Sequence, residues 1–176
     1  MTSKLKNPKV LISQSRANKK VKELARKISR NYKGKKLVLV GVLKGAFVFM
    51  ADLLREITIP LEIDFIQVSS YGASKTSSGV IKIKKDIDLP IVGKNVLLVE
   101  DIIDYGYTLD YLIRFLKAKK AKSVGVCVML DKPARRRVEV PLAYKGFEVP
   151  DKFMVGYGLD FAEKFRNLPY VGCLSS

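Results

Sequence analysis

An α/β domain with a mostly parallel central sheet flanked by helices is the fold class this sequence predicts, on three observations. Residues 37–42, 96–99 and 123–130 are runs of branched and aliphatic residues, the pattern of strands buried on both faces. The first two are each followed by a short turn and a segment of helical period. Alternation of this kind gives a sheet covered on both sides, with ligands bound beyond the C-terminal ends of its strands.

Residues 14–32 carry Val21, Leu24, Ala25 and Ile28 at i, i+3, i+4 and i+7, which predicts a helix closed by Gly34. The run 37–42 is the first central strand. Past Lys44 and Gly45, the residues Phe47, Met50, Ala51 and Leu54 recur at helical spacing and predict an inward face, with Pro60 as the stop. Leu61, Ile63 and Phe65 alternate as in a strand that continues toward Ser70 and Tyr71. The Ser-rich stretch 73–79 lacks apolar period and predicts a mobile loop, with a returning strand at 80–83. A turn at Asp88, Leu89 and Pro90 leads to the strand 96–99 and then to a helix with Leu109, Leu112, Ile113 and Leu116 on one face. The strand 123–130 ends in Asp131, Lys132 and Pro133. Short strands near 147–149, 153–157 and 170–174 complete the chain.

The 176 residues, 48% hydrophobic with 12 Gly and 7 Pro, describe one globular domain and exclude a fibrous, disordered or disulfide-stapled chain. The longest apolar stretch, 37–54, is broken by Lys44 and Asp52, whereas a membrane span needs roughly 20 residues without such charges. The first six residues are polar and basic with no apolar core, so the expected compartment is the cytoplasm. Cys127 and Cys173 lie in apolar runs and are expected to be buried small hydrophobes. With no His in the sequence, His-ligated zinc and Ser-His-Asp or Cys-His chemistry are excluded, and acid–base work falls to carboxylates, Lys or Tyr. The formal charge of +16, from 33 Lys+Arg and 17 Asp+Glu, suits either nucleic acid or anionic substrates. The lysines are scattered, and most are expected to be solvated surface.

The informative place is the turn after Val99. Glu100, Asp101 and Asp104 fall within five residues, between a strand end and a helix start that also holds Gly106 and Thr108. Capping by Thr108 and dipole stabilisation account for one acid, not three. The amide groups of a helix start receive phosphate, and carboxylates beside them accept hydrogen bonds from sugar hydroxyls. Phosphate on one side and hydroxyls on the other describe a ribose 5-phosphate.

The segment Val99-Glu100-Asp101-Ile102-Ile103-Asp104-Tyr105-Gly106-Tyr107-Thr108 resembles the phosphoribosyl-diphosphate loop of the phosphoribosyltransferases. Leu43-Lys44-Gly45 resembles that family's pyrophosphate loop, and Ser70-Tyr71-Gly72 its flexible loop. Residues 150–160 and Arg166-Asn167-Leu168-Pro169-Tyr170 resemble the C-terminal segment of the hypoxanthine-guanine branch. The resemblance runs from about 43 to 174 in the right order and spacing.

It implies the type I phosphoribosyltransferase fold as one domain over 1–176. That fold has a small hood made by the N- and C-terminal segments, a flexible loop at about 70–80 and a purine-binding hood segment at about 146–176. The implied reaction is transfer of 5-phosphoribosyl from phosphoribosyl diphosphate to N9 of hypoxanthine or guanine, a step of purine salvage. Asp104 is the implied base for the N7 proton. Glu100, Asp101, Tyr105, Gly106, Tyr107 and Thr108 hold the ribose and 5-phosphate, while Lys44, Gly45 and Arg166 hold pyrophosphate. Lys132, Phe153 and Met154 meet the purine, and Lys132, as donor to its 6-oxo group, rejects adenine. Ser70 and Tyr71 belong to the closing loop. Mg2+ is the implied cofactor, with Asp160, Glu100 and Asp101 as its carboxylates. A cis peptide before Lys44 and a homodimer or homotetramer are further implications.

Tyr105 departs from the pattern, standing where the family usually has Thr or Ser. The main-chain N–H groups around it remain, so phosphate binding is expected to persist. Two other readings stay open: an RNA-binding regulator on the same fold, which the basic charge favours, and a nucleotide-binding module without turnover. No membrane partner is expected, and Lys132 with the segment 153–160 weighs against nucleic acid.

Overall fold

The computed structural model describes residues 8–71 and 80–174, with positions 70, 71 and 80 as backbone only. In chain order these are β1 (Lys9–Ile12), α1 (Gln14–Asn31), β2 (Leu37–Leu43), α2 (Phe47–Glu56), β3 (Glu62–Tyr71) and β4 (Val80–Lys85). They are followed by β5 (Asn95–Ile103), α3 (Tyr107–Ala118), β6 (Ser123–Asp131), β7 (Tyr144–Glu148), β8 (Met154–Val155) and β9 (Val171–Cys173). A six-stranded sheet runs in the order β4-β3-β2-β5-β6-β7, parallel throughout except for the β3–β4 pair. A three-stranded antiparallel sheet, β1-β9-β8, stands apart and is the expected hood of N- and C-terminal segments.

The central strands form because their residues suit burial on two faces. Along β2, Leu37 and Leu39 join the core under α1 and α2, while Val38, Val40 and Val42 join the core under α3. Helix α1 starts at Ser13, whose side chain accepts the Arg16 N–H, and buries Ala17, Val21, Leu24, Ala25 and Ile28. Each fully buried Leu, Ile or Val stabilises by roughly 1.5–3 kcal/mol. That face, more than helix propensity, holds α1 in place.

Several expectations are corrected. The inward face of α2 is Phe49, Met50 and Leu53, and Phe47 is exposed. β3 alternates as expected, with Phe65 and, just before the strand, Leu61 packed against the core under α1 and α2 and Ile66 and Val68 against the core under α3, while Ile63 stays exposed. β5 runs past Val99 to Ile103, so Glu100 and Asp101 are strand residues rather than turn residues. The late strands are shorter or displaced: β7 begins at Tyr144 and β8 is only Met154–Val155. The four-residue β1 was not foreseen as a strand. Residues 72–79, the core of the expected mobile loop, lie outside the described residues, and Ser70 and Tyr71 are described only as backbone of β3.

The parallel strands β2, β5 and β6 end side by side, so the segments after Leu43, Ile103 and Asp131 meet at one edge of the sheet. The hood reaches the same edge. The Tyr157 phenol donates to Asp52 Oδ2 on α2 at 2.7 Å, and a Cβ at Gly158 would lie 2.1 Å from the Gly45 oxygen. Cys127 and Cys173 are both buried and unpaired, as expected.

Candidate active site

At the end of β5, Glu100 is buried and Asp101 half-buried, side by side. Each carboxylate accepts a neighbouring main-chain N–H: Asp101 to Glu100 at 3.2 Å, and Ile102 to Asp101 at 2.6 Å. Burial first, and then the adjoining Asp101 charge, hold Glu100 well above the ordinary carboxylate range. Asp101 is raised too, by burial, against the pull of the Glu100 side chain, the Ile102 N–H and the Arg166 charge. The pair lacks sufficient donors and positive charge from the protein, as expected of acceptors reserved for a ligand.

Asp104 shows the same deficit in sharper form. Its Oδ1 is buried and has no hydrogen-bond partner, while its Oδ2 lies 3.3 Å from an Arg135 guanidinium nitrogen. A buried bare acceptor costs roughly 1–3 kcal/mol, so a proton donor is the missing element. After it the chain turns at Gly106, with φ of 94°, a conformation that favours glycine. A Cβ there would also strike the Val138 oxygen at 2.5 Å. Helix α3 begins at once, with no side-chain cap. Thr108 therefore does not cap the helix; it sits in its first turn among N–H groups that have no intrahelical acceptor. Those of Tyr107 and Thr108 are of the kind that can receive an anion such as phosphate. The rings of Tyr105 and Tyr107 stack with centroids 6.3 Å apart and are 39% and 51% exposed.

The loop after β2 faces these acids. The Leu43–Lys44 peptide is cis, as the family resemblance implied. A Cβ at Gly45 would come within 1.6 Å of an Asp101 oxygen, so only glycine lets the loop approach. Lys44 Nζ pairs with Glu163 at 3.1 Å, and Arg166 pairs with the same Glu163 carboxylate at 3.3 Å. Glu163 thus bridges the two cations expected to hold pyrophosphate, a role no sequence signal announced. Arg166 also pairs with Asp160 at 2.9 Å and donates to the Gly158 oxygen at 2.8 Å. The second Asp160 oxygen accepts the Glu163 N–H at 2.9 Å. Asp160 is therefore engaged, and among the described residues no three acids form a metal-holding cluster.

At the end of β6 stands Lys132, the one buried Lys or Arg among the described residues. Its main-chain N–H donates to the Ile103 oxygen at 3.0 Å and its Nζ to the Lys152 oxygen at 3.0 Å. Both bonds tie it between the β5 end and the hood. Phe153 is half-exposed and meets Phe161 edge to face at 5.5 Å, leaving ring surface for a planar ligand. The Met154 side chain points into the core, so only its main chain can meet a ligand.

Sequence reasoning missed the segment Arg135–Val138, which straps the Asp104 turn. The N–H groups of Arg137 and Val138 both donate to the Tyr105 oxygen at 3.0 Å, and Arg136 Nε donates to the Asp104 oxygen at 3.1 Å. The only signal was three consecutive arginines, which by themselves read as surface.

Comparison with known proteins agrees with this geometry. Residues 11–162 match the phosphoribosyl transferase domain family. The hypoxanthine-guanine phosphoribosyltransferase of Bacillus subtilis is 51% identical over 166 residues, 94% of this chain and 92% of that protein. The bifunctional protein TilS/HprT of Listeria monocytogenes is 52% identical over 166 residues, and there the match spans 26% of the longer protein. Among solved structures, a hypoxanthine-guanine phosphoribosyltransferase of Bacillus anthracis superposes with a TM-score of 0.92 at 49% identity, covering 96% of this chain and 100% of that one. No helix among the described residues is long and apolar enough to cross a membrane. By fold, by the arrangement at its strand ends and by these relatives, the chain belongs to the phosphoribosyltransferase family.

Proposed function

We propose that this chain transfers the 5-phosphoribosyl group of phosphoribosyl diphosphate to N9 of hypoxanthine or guanine, giving the nucleotide and pyrophosphate. The observation that carries the reading is the bare, buried Oδ1 of Asp104 beside an uncapped helix start. The amides of Gly106, Tyr107 and Thr108 hold the 5-phosphate, and the carboxylates of Glu100 and Asp101 accept the ribose hydroxyls. As the bond from C1′ to the diphosphate oxygen breaks, its electron pair leaves with pyrophosphate. Purine N9 then bonds to C1′, and the N7 proton passes to Asp104 Oδ1. Positive charge developing on the sugar is stabilised by the acids beneath it.

Lys44 and Arg166 take up the pyrophosphate once Glu163 releases them. Lys132 donates to the 6-oxo group; adenine carries an amino donor there and is rejected by an unpaired donor pair. Phe153 stacks on the purine face and the Met154 main chain meets its edge. Ser70 and Tyr71 lead into the segment proposed to close over the substrates and exclude water. Phosphoribosyltransferases are in general magnesium-dependent. Glu100 and Asp101, two raised acids with no cation between them, fit an ion shared with substrate oxygens, and Asp160 joins them only by giving up Arg166. Bound magnesium neutralises the leaving diphosphate.

The proposed compartment is the cytoplasm, the compartment expected for phosphorylated substrates, and a homodimer or homotetramer is the proposed assembly, measurable by light scattering. The named relatives are enzymes, which leaves the RNA-binding alternative without support. A spectrophotometric assay with hypoxanthine, guanine, xanthine and adenine, with and without magnesium, tests the proposal. Turnover of 6-oxopurines is expected; turnover of adenine alone would overturn the role of Lys132. Asp104→Ala should lower kcat by roughly a hundredfold or more while changing substrate binding little.

A further inference from the structure

Tyr105 stands at a position where a small hydroxyl residue is usual, and the structure shows what the phenol does instead. The guanidinium of Arg135 lies over the Tyr105 ring, 4.6 Å from its centroid, and donates to the Tyr105 hydroxyl. Its Nη1 reaches Asp104 Oδ2 at 3.3 Å, and its Nε lies 3.8 Å from Asp151 Oδ1. The three nitrogens of the planar fork thus face three different partners, through a hydrogen bond to Tyr105, an ion pair with Asp104 and a longer charge contact with Asp151. With its ring contact and its hydrogen bond both on Tyr105, the guanidinium gives the Asp104 carboxylate a fixed cation to orient against. The main chain is fixed to match, because Arg136 grips the Asp104 oxygen and Arg137 and Val138 grip the Tyr105 oxygen. One carboxylate oxygen is tethered and the other is left bare and buried.

We propose that Arg135, braced by Tyr105 and Asp151, is a positioning residue that fixes the Asp104 carboxylate with Oδ1 free for the purine N7 proton. Tyr105 then acts through Arg135, exchanging a side-chain contact to phosphate for an aromatic platform beneath the guanidinium. A cation at the ring face of a tyrosine is attracted by the negative face of the ring, which favours the rotamer that keeps it there. The inference rests on the proposed reaction, since it assigns Asp104 the task described there.

The test uses the full chain with saturating magnesium and separates kcat from KM. Arg135→Met keeps the length of the side chain and removes the fork. It should lower kcat about tenfold, with KM for phosphoribosyl diphosphate within about twofold of wild type and an unchanged unfolding midpoint. Tyr105→Leu should lower kcat by about three- to tenfold, and in the Arg135→Met background it should cost less than about twofold more. An unchanged kcat in Arg135→Met would overturn the proposal. So would a loss confined to the phosphoribosyl diphosphate KM, which would make Arg135 a phosphate contact, or full additivity of the two substitutions. Wild-type protein without turnover of any 6-oxopurine would instead sink the proposed reaction, and this inference with it.

Discussion

Two buried acids on the strands that flank β2 meet opposite fates. Asp64 on β3 is 7% exposed and Glu100 on β5 is 8% exposed. Asp64 Oδ1 accepts the Phe65 N–H at 2.7 Å, and Oδ2 accepts those of Asp88 and Leu89 at 2.7 and 2.8 Å. Lys85 stands 3.7 Å away. Burial pushes this carboxyl up, and the N–H groups of Leu89, Phe65 and Asp88 together with the lysine more than reverse it, so its pKa is lowered. Glu100 has one weak N–H donor and a second carboxylate beside it, and its pKa is raised. With similar solvent exposure but Glu100 lying deeper in the protein, the opposite shifts separate an acid whose partners are all in the chain from one that the chain leaves without them.

The largest expected effect follows from breaking the satisfied acid. Asp64→Ala leaves three N–H groups without their acceptor, including those that shape the turn at 88–89. It should destabilise by about 3 kcal/mol, lowering Tm by roughly 6–12 °C in a calorimetric scan. The folded enzyme should keep its kcat, because Asp64 faces the α3 core rather than the substrate edge. A small Tm change would mean that the turn finds other partners.

A smaller and opposite effect is expected from Glu100→Gln. Removing one of two adjoining buried carboxylates should raise the Tm of the ligand-free protein near neutral pH by about 2–4 °C, while activity falls. The pH dependence sharpens the contrast. Asp64 has a lowered folded pKa, so its contribution is present above the ordinary carboxylate range and is lost as pH falls below it. Glu100 has a raised folded pKa, so its share is present at acid pH and is lost as pH climbs through the raised value. As pH rises above the ordinary carboxylate range, the wild-type Tm should therefore decline more steeply than that of Glu100→Gln. Parallel curves would show that Glu100 is not the acid responsible.

The smallest effect concerns the exposed Glu163 bridge. Glu163→Gln should lower KM for phosphoribosyl diphosphate by about two- to threefold, because Lys44 and Arg166 no longer exchange one anion for another, with Tm unmoved. An unchanged KM would make the bridge an ordinary surface pair.

How much of this could be read in advance depended on whether the signal was local. The acids at the end of β5 and in the turn to α3, the glycine and the following helical period are contiguous, and their spacing carried both the strand-turn-helix unit and the proposed ligand. The face of α2 was not decidable from period, since residues 46–51 are all apolar and two inward faces fit a period of 3.6 equally well. Packing chose Phe49, Met50 and Leu53, because they meet β2 and β5 from the side that α1 also covers. Strand β1 is only Lys9–Ile12 and pairs only with β9, so its Val10-Leu11-Ile12 run was too short to mark a strand by itself. The Arg135 strap and the Glu163 bridge join positions far apart in sequence, Arg135 to Tyr105 across 30 residues and Lys44 to Glu163 across 119. Their charges were visible and their partners were not.

The hood sheet has a consequence for the order in which the molecule comes to life. Its middle strand is β9, and both β1 and β8 depend on it for their ladder bonds. On a ribosome, β1 must therefore wait unpaired until β9 emerges, while the central sheet can assemble from its neighbours. The proposed 5-phosphate cradle at the start of α3 is made early, while the proposed purine floor at Phe153 and Met154 and the proposed pyrophosphate contact at Arg166 are among the last parts to emerge.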